Sequence, residues 1–194
     1  ATAGSFEELQ AGDLRTATAP EGRWRAAAGH AEISTQFAHS GKQCLHIHGG
    51  DDRTATLQLS GKAASRLSFW AERWTRRQPF TFRIDALADG QWREVFDGDD
   101  QVLVGQRFRS HIAVDLPTKA SAVRFRCTSP NGSGVLIDDL QLSDAAPMRV
   151  LGGYHRAWIA PALRGKVSPI TKVSIATDGH LEPVVITGIR LAFS

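Results

Sequence analysis

Apolar and polar residues alternate with a period of two through most of the first 144 positions. Turn residues break the alternation at intervals of about 8–12 residues, the rhythm of a chain built from short antiparallel strands. The runs are Ala31–Phe37, Lys42–His48, Thr54–Leu59, Arg66–Trp74, Phe80–Leu87, Gln91–Phe96, Phe108–Leu116, Ala122–Thr128 and Gly134–Leu142. The breaks include His39-Ser40-Gly41, Gly49-Gly50-Asp51-Asp52, Asp89-Gly90, Asp97-Gly98-Asp99-Asp100 and Pro130-Asn131-Gly132. Helical periodicity is almost absent. Arg15–Ala28 is Ala-rich, but Pro20, Gly22 and Gly29 interrupt it, so it reads as loop or a short turn.

The alternation also assigns faces, because successive strand side chains point to opposite sides. Leu67, Phe69 and Ala71 form one set, and Ser68, Trp70, Glu72 and Trp74 the other. Phe80, Phe82, Ile84 and Ala86 oppose Thr81, Arg83 and Asp85; Ile112, Val114 and Leu116 oppose His111 and Asp115; Val123, Phe125 and Cys127 oppose Arg124 and Arg126. The apolar sets predict the core of an all-β antiparallel sandwich, or jelly roll, over residues 5–144. A linker at Asp144-Ala145-Ala146-Pro147 begins residues 145–194, where Ile170–Thr177 and Val184–Phe193 read as two further strands. So short an all-β piece, ending inside an apolar strand, reads as an incomplete β unit that needs more chain to close it.

Composition fits that picture. Hydrophobic residues are 42% of the 194, charged residues 22%, and 23 Lys+Arg stand against 20 Asp+Glu. These values exclude a disordered chain and a coiled coil, and a net charge of +3 does not mark a nucleic-acid partner. No apolar run reaches the length of a membrane span. Two cysteines, Cys44 and Cys127, make no disulfide framework, and their parities place them on opposite faces as separate thiols.

Several segments resemble, in order and spacing, the jelly-roll carbohydrate-binding modules and their galactose-binding-like relatives. They are Ser5-Phe6-Glu7, the stretch Ser40-Gly41-Lys42-Gln43-Cys44-Leu45-His46-Ile47, Leu67-Ser68-Phe69-Trp70-Ala71, and Val135 through Leu142 with Asp138-Asp139 inside it. Farther on, Leu163-Arg164-Gly165-Lys166, Val173 through Gly179 and Val184–Phe193 are similar to the start of the β-rich region before the propeller of secreted bacterial sialidases. The resemblance implies a secreted protein, extracellular or periplasmic, that is the accessory part of a larger glycan-processing enzyme. It also implies a structural calcium ion that ties the first strand to the last through Glu7, the loop at Ser40–Lys42 by backbone oxygen, and Asp138.

The residues themselves leave alternatives open at that point. Asp138 shares parity with Leu136, Leu140 and Leu142 and is expected to face the core. A buried carboxylate requires a metal, an arginine or turn amides. Calcium suits hard oxygen donors, and hydrogen bonds from turn amides are the other answer. Adjacent Asp138 and Asp139 are expected to face opposite ways and so to form no facing carboxylate pair. No nucleophile elbow, zinc-protease helix, phosphate loop or sialidase Asp-box occurs, so whether an enzyme is involved rests on the parent polypeptide. His46 and His48 share a strand face and read as surface histidines.

For ligand binding, flat aromatic rings near polar groups are the chemistry a sugar needs. Trp70 and Trp74 point away from the core beside Glu72, and the next strand is expected to offer Arg83 and Asp85 on the same side. Trp92, beside the Asp89-Gly90 turn, is a further platform; Trp24 and Trp158 read as packing residues. Between residues 60 and 83, Lys62, Arg66, Arg73, Arg76, Arg77 and Arg83 face only Glu72, a patch suited to a sialylated or sulfated glycan. The expected role is therefore a non-catalytic glycan-binding module. The competing one is a structural spacer or protein-interaction sandwich in which Trp70 and Trp74 pack under a loop.

Overall fold

The computed structural model describes residues 6–61, 64–105, 108 and 110–144. The strands expected within 145–194, with Trp158, lie outside the described residues, as does Lys62. Among the described residues a single 3-10 turn, Phe6–Glu8, precedes ten strands. They are β1 (Gly12–Asp13), β2 (Thr16–Ala19), β3 (Gly22–Ala26), β4 (Ala31–Ser34), β5 (Cys44–Leu59), β6 (Arg66–Arg73), β7 (Thr81–Ala88), β8 (Gln91–Asp97), β9 (Ser110–Asp115) and β10 (Ala122–Ser143). Every ladder between them is antiparallel, and no helix long and apolar enough to cross a membrane occurs among the described residues.

Two long strands organise the sandwich. The first half of β10 pairs with the second half of β5 and with β7; its second half pairs with the first half of β5 and with β6. One layer therefore reads β2-β3-β5-β10-β7-β8, and the other β1-β4-β5-β10-β6-β9. Gly49-Gly50 is not a turn, as its composition predicts, but the point where β5 passes from one layer to the other. A side chain on Gly49 would strike the Pro130 carbonyl opposite, so only glycine permits this close crossing.

The alternation places the core correctly. Leu67, Phe69, Phe82, Ile84, Val123 and Phe125 are fully buried, and Phe69 of β6 meets Phe82 of β7 across the layers, ring centroids 6.3 Å apart. Trp24 joins this core, stacked on Phe125. The loop expected over Arg15–Ala28 is instead the β2–β3 hairpin. Its period-two pattern, with Gly22 and Trp24 buried and Arg23 and Arg25 exposed, outweighs the alanine content.

One parity expectation fails. Asp138 does not face the core with Leu140. Asp139 takes a φ of +49° at a register shift between Asp138 and Gln141, a bulge that reverses the side-chain alternation. Val135, Ile137 and Leu140 face the main core, while Leu136 and Asp138 turn to the outside of the second layer.

Candidate functional site

The outer face of the first layer is a five-strand platform. Cross-strand pairing aligns Arg25, Thr56, Arg124, Asp85 and Glu94 in one row, and Arg23, Gln58, Ala122, Leu87 and Trp92 in the next. A third row holds Thr54, Arg126, Arg83 and Asp97. Paired residues in register project to the same side of a sheet, so this face carries five guanidinium groups.

Asp85 is its fixed point. The carboxylate is only 4% exposed and accepts hydrogen bonds from both flanking arginines. Arg124 donates at 2.7 and 2.9 Å and Arg126 at 2.8 and 3.1 Å, and Arg126 reaches Glu94 at 3.2 Å. Burial alone would raise the Asp85 pKa, but the hydrogen bonds from Arg126 and Arg124 outweigh it and hold the carboxyl below its usual range. Asp85 is therefore a positioning group that fans two arginines across the surface. Arg124 also lies over the Trp92 ring, 4.5 Å from its centroid, and Trp92 is 38% exposed. Arg83 is held by Asp97, at 2.6 Å, and by Asp99. Arg23 and Arg25 are exposed and make no ion pair with any described residue, leaving two solvated guanidiniums at the β3 side. The alternating Arg-x-Arg pairs at 23/25 and 124/126 are the signal that reading single aromatic residues overlooks.

Trp70 and Trp74 stand elsewhere. Because β6 and β7 belong to different layers, Trp70 and Trp74 face away from Arg83 and Asp85, on the opposite side of the sandwich. The expectation that β7 lies beside β6 is corrected by β10, which pairs with each of them along a different half. Both rings carry a protein partner. His39 stacks on Trp70 at 4.3 Å and 11°, and His46 on Trp74 at 4.5 Å and 8°. Phe37 meets Trp74 edge-on, and a small second apolar cluster of Cys44, Phe108 and Leu136 lies against the two tryptophans. Glu72 is buried there and accepts a hydrogen bond from the Phe108 amide at 2.8 Å. The basic run around residues 60–83 likewise disperses. Arg66 pairs with Asp115 at 2.7 Å, Arg73 is buried over the Phe80 ring, and Arg77 donates to the Asn131 carbonyl.

Glu7 and Asp138 both meet the loop that follows β4. Glu7 Oε1 accepts from the amides of Lys42 (2.7 Å) and Gln43 (2.8 Å), and Gly41, whose φ of +64° favours glycine, brings the backbone against the carboxylate. Asp138 is fully buried and accepts from the amides of His39 (2.7 Å), Ser40 (3.1 Å) and Asp139 (2.7 Å). Burial pushes its pKa up, against those three hydrogen bonds. The bulge brings Asp139 to the same loop, against the expected opposite orientation: its carboxylate contacts the His39 ring at 2.6 Å and the Ser40 hydroxyl at 2.5 Å. Tested against calcium chemistry, the cluster divides. The carbonyls of Phe6, Glu7 and Leu9 converge on Gln43 Nε2 at 3.0, 3.0 and 3.2 Å, a set of hard oxygen donors. The Asp138 oxygens and Glu7 Oε1 are turned to N–H groups, and Lys42 contributes its amide rather than a carbonyl.

No protein-family model matches this chain, and no curated protein matches it. Solved structures align with it at low identity. A family 61 carbohydrate-binding module determined with β-1,4-galactotriose aligns over 73% of this chain and 95% of its own, at 14% identity and a TM-score of 0.45. The K2 cleaved adhesin domain of Lys-gingipain aligns over 72% and 96%, at 15% identity and a TM-score of 0.49. The CBM22-1 xylan-binding domain of Xyn10C from Paenibacillus barcinonensis aligns over 75% and 99%, at 18% identity and a TM-score of 0.42. Several of the solved structures that align are carbohydrate-binding modules, and one is a tandem module pair of a family 98 glycoside hydrolase.

Proposed function

We propose that this protein is a non-catalytic carbohydrate-binding module that holds a secreted glycan-active enzyme on its polymer. One observation carries the reading: on the outer face of the first layer, Trp92 lies beside two arginines fixed by Asp85, with Arg23 and Arg25, which pair with no acid among the described residues, at the other side. An exposed indole offers a stacking surface for a sugar ring, and guanidiniums match carboxylate or sulfate groups bidentately. The ligand class is an acidic glycan, sialylated or sulfated, and it spans the platform from Trp92 toward β3. Tethering of this kind raises local concentration without new catalytic groups.

The parent enzyme in this proposal is a sialidase-like hydrolase, supported by the pattern of Leu163–Lys166, Val173–Gly179 and Val184–Phe193. Asp-box sequences encoded beyond Ser194 would support it. Calcium is part of the same proposal, supported by the carbonyls that converge on Gln43. A structural spacer is the second reading, favoured by the imidazoles that cover Trp70 and Trp74. A glycan array with the full chain separates the two. Binding of acidic glycans that Trp92→Ala and Arg25→Ala each weaken supports the module; an intact fold that binds no glycan supports the spacer.

A further inference from the structure

We infer that Glu32, His46 and His48 form a binding site for a first-row transition-metal ion of the zinc class. The sequence supplies half of it: His-x-His on β5 sets two imidazoles on one face. The tertiary pairing supplies the rest, because antiparallel β4 places Glu32 directly opposite His46. His46 Nδ1 lies 3.3 Å from Glu32 Oε1, His48 Nε2 lies 3.8 Å from Glu32 Oε2, and one ligand atom from each residue falls within 4.8 Å of the others. With metal–ligand bonds of 2.0–2.2 Å, a tetrahedral ion holds its ligands about 3.3–3.6 Å apart. The cluster therefore needs only small side-chain adjustments to close on an ion.

The surroundings already orient the ligands. His46 Nε2 lies 3.3 Å from the Ser133 carbonyl, which can only accept, so a proton on that nitrogen is satisfied there and Nδ1 is the nitrogen directed at Glu32. Trp74 fixes the plane of the His46 ring by stacking. His46 is 6% exposed, whereas the side chains of Glu32 and His48 are 32% and 31% exposed. Solvent thus reaches one side of the cluster, which gives the ion a way in and leaves a coordination position for water. Two imidazoles and one carboxylate suit zinc, nickel or copper better than the hard, oxygen-preferring calcium ion. The ion would tie β4 to β5 in the second layer, away from the arginine platform, and the inference does not depend on glycan binding.

The test uses the untagged full chain, stripped of metal with a chelator and titrated with zinc chloride by calorimetry. One zinc per chain is expected, with affinity lowered by about tenfold or more in Glu32→Gln and in His48→Gln and unchanged in His111→Gln. No zinc uptake, which would leave a simple His46–Glu32 contact, overturns the proposal. So does binding that survives both substitutions. Cobalt(II) gives a readout on the unsubstituted protein, should a variant fail to fold. Paramagnetic broadening centred on the amides of Ala31–Ser34 and Cys44–His48 supports the site, and broadening centred elsewhere overturns it.

Discussion

Trp74 lies flat against His46, with ring centroids 4.5 Å apart and planes 8° from parallel. The face that a sugar would stack on is thus already occupied by the protein. A strand pattern reports that Trp74 points away from the core, but not that a ring from β5 covers it.

Trp74→Ala should therefore act on stability. Truncating a core aromatic costs about 3–5 kcal/mol, and the partial exposure of Trp74 puts the expected loss at the lower end. Denaturant melts measure the loss, and a glycan titration of the same variant should show affinity unchanged. Weakened glycan binding with full stability would return Trp74 to the binding surface.

Asp85→Asn should destabilise the protein by roughly 1.5–3 kcal/mol, the range for hydrogen bonds to charged groups. It should also alter the pH dependence. The folded-state pKa of Asp85 lies below its unfolded value of about 3.9. Its contribution is complete above that value and is lost as pH falls through the folded one. Melts from neutral pH down to acid should show the gap between wild type and variant closing only at the acid end. A gap that stays constant with pH would mean that charge is not its origin.

Trp92→Ala should weaken binding of an acidic glycan while leaving the melting temperature nearly unchanged, because the ring lies outside the core. Arg25→Ala should weaken the same ligand, and that loss should shrink as salt is raised. Exposed charges are screened over about 8–10 Å near physiological ionic strength. An equal loss for neutral glycans, independent of salt, would show that Arg25 does not read charge.

Calcium in excess should raise the melting temperature above that of chelated, dialysed protein, because an ion bound only to the folded state stabilises it by mass action. Superimposable curves would mean that the amides of the 39–43 loop and Gln43 make the tie between chain start and last strand without a metal.

Most strands from β4 onward, and the apolar side chains that they turn to the main core, were legible from the alternation, because pleat geometry is local and a period of two survives in any register; the alanine-rich β2–β3 hairpin was not. Leu67, Phe69, Phe82, Ile84, Val123 and Phe125 were readable on those grounds alone. Asp85 and the arginines at 124 and 126 were readable as outward residues, but not as one network. Which strands are neighbours was settled by long-range pairing in the folded chain. Gly49 lets β5 cross between layers, and β10 does the same opposite it, so β6 and β7, consecutive in the chain, end on opposite faces. The bulge at Asp139 reverses parity within a single strand, turning Asp138 away from the core and both aspartates onto one loop. Partnership across strands depends on register and crossing points, which are set by long-range pairing and close backbone approach. Local alternation does not encode them, and so Glu32 meets His46 only in the folded protein.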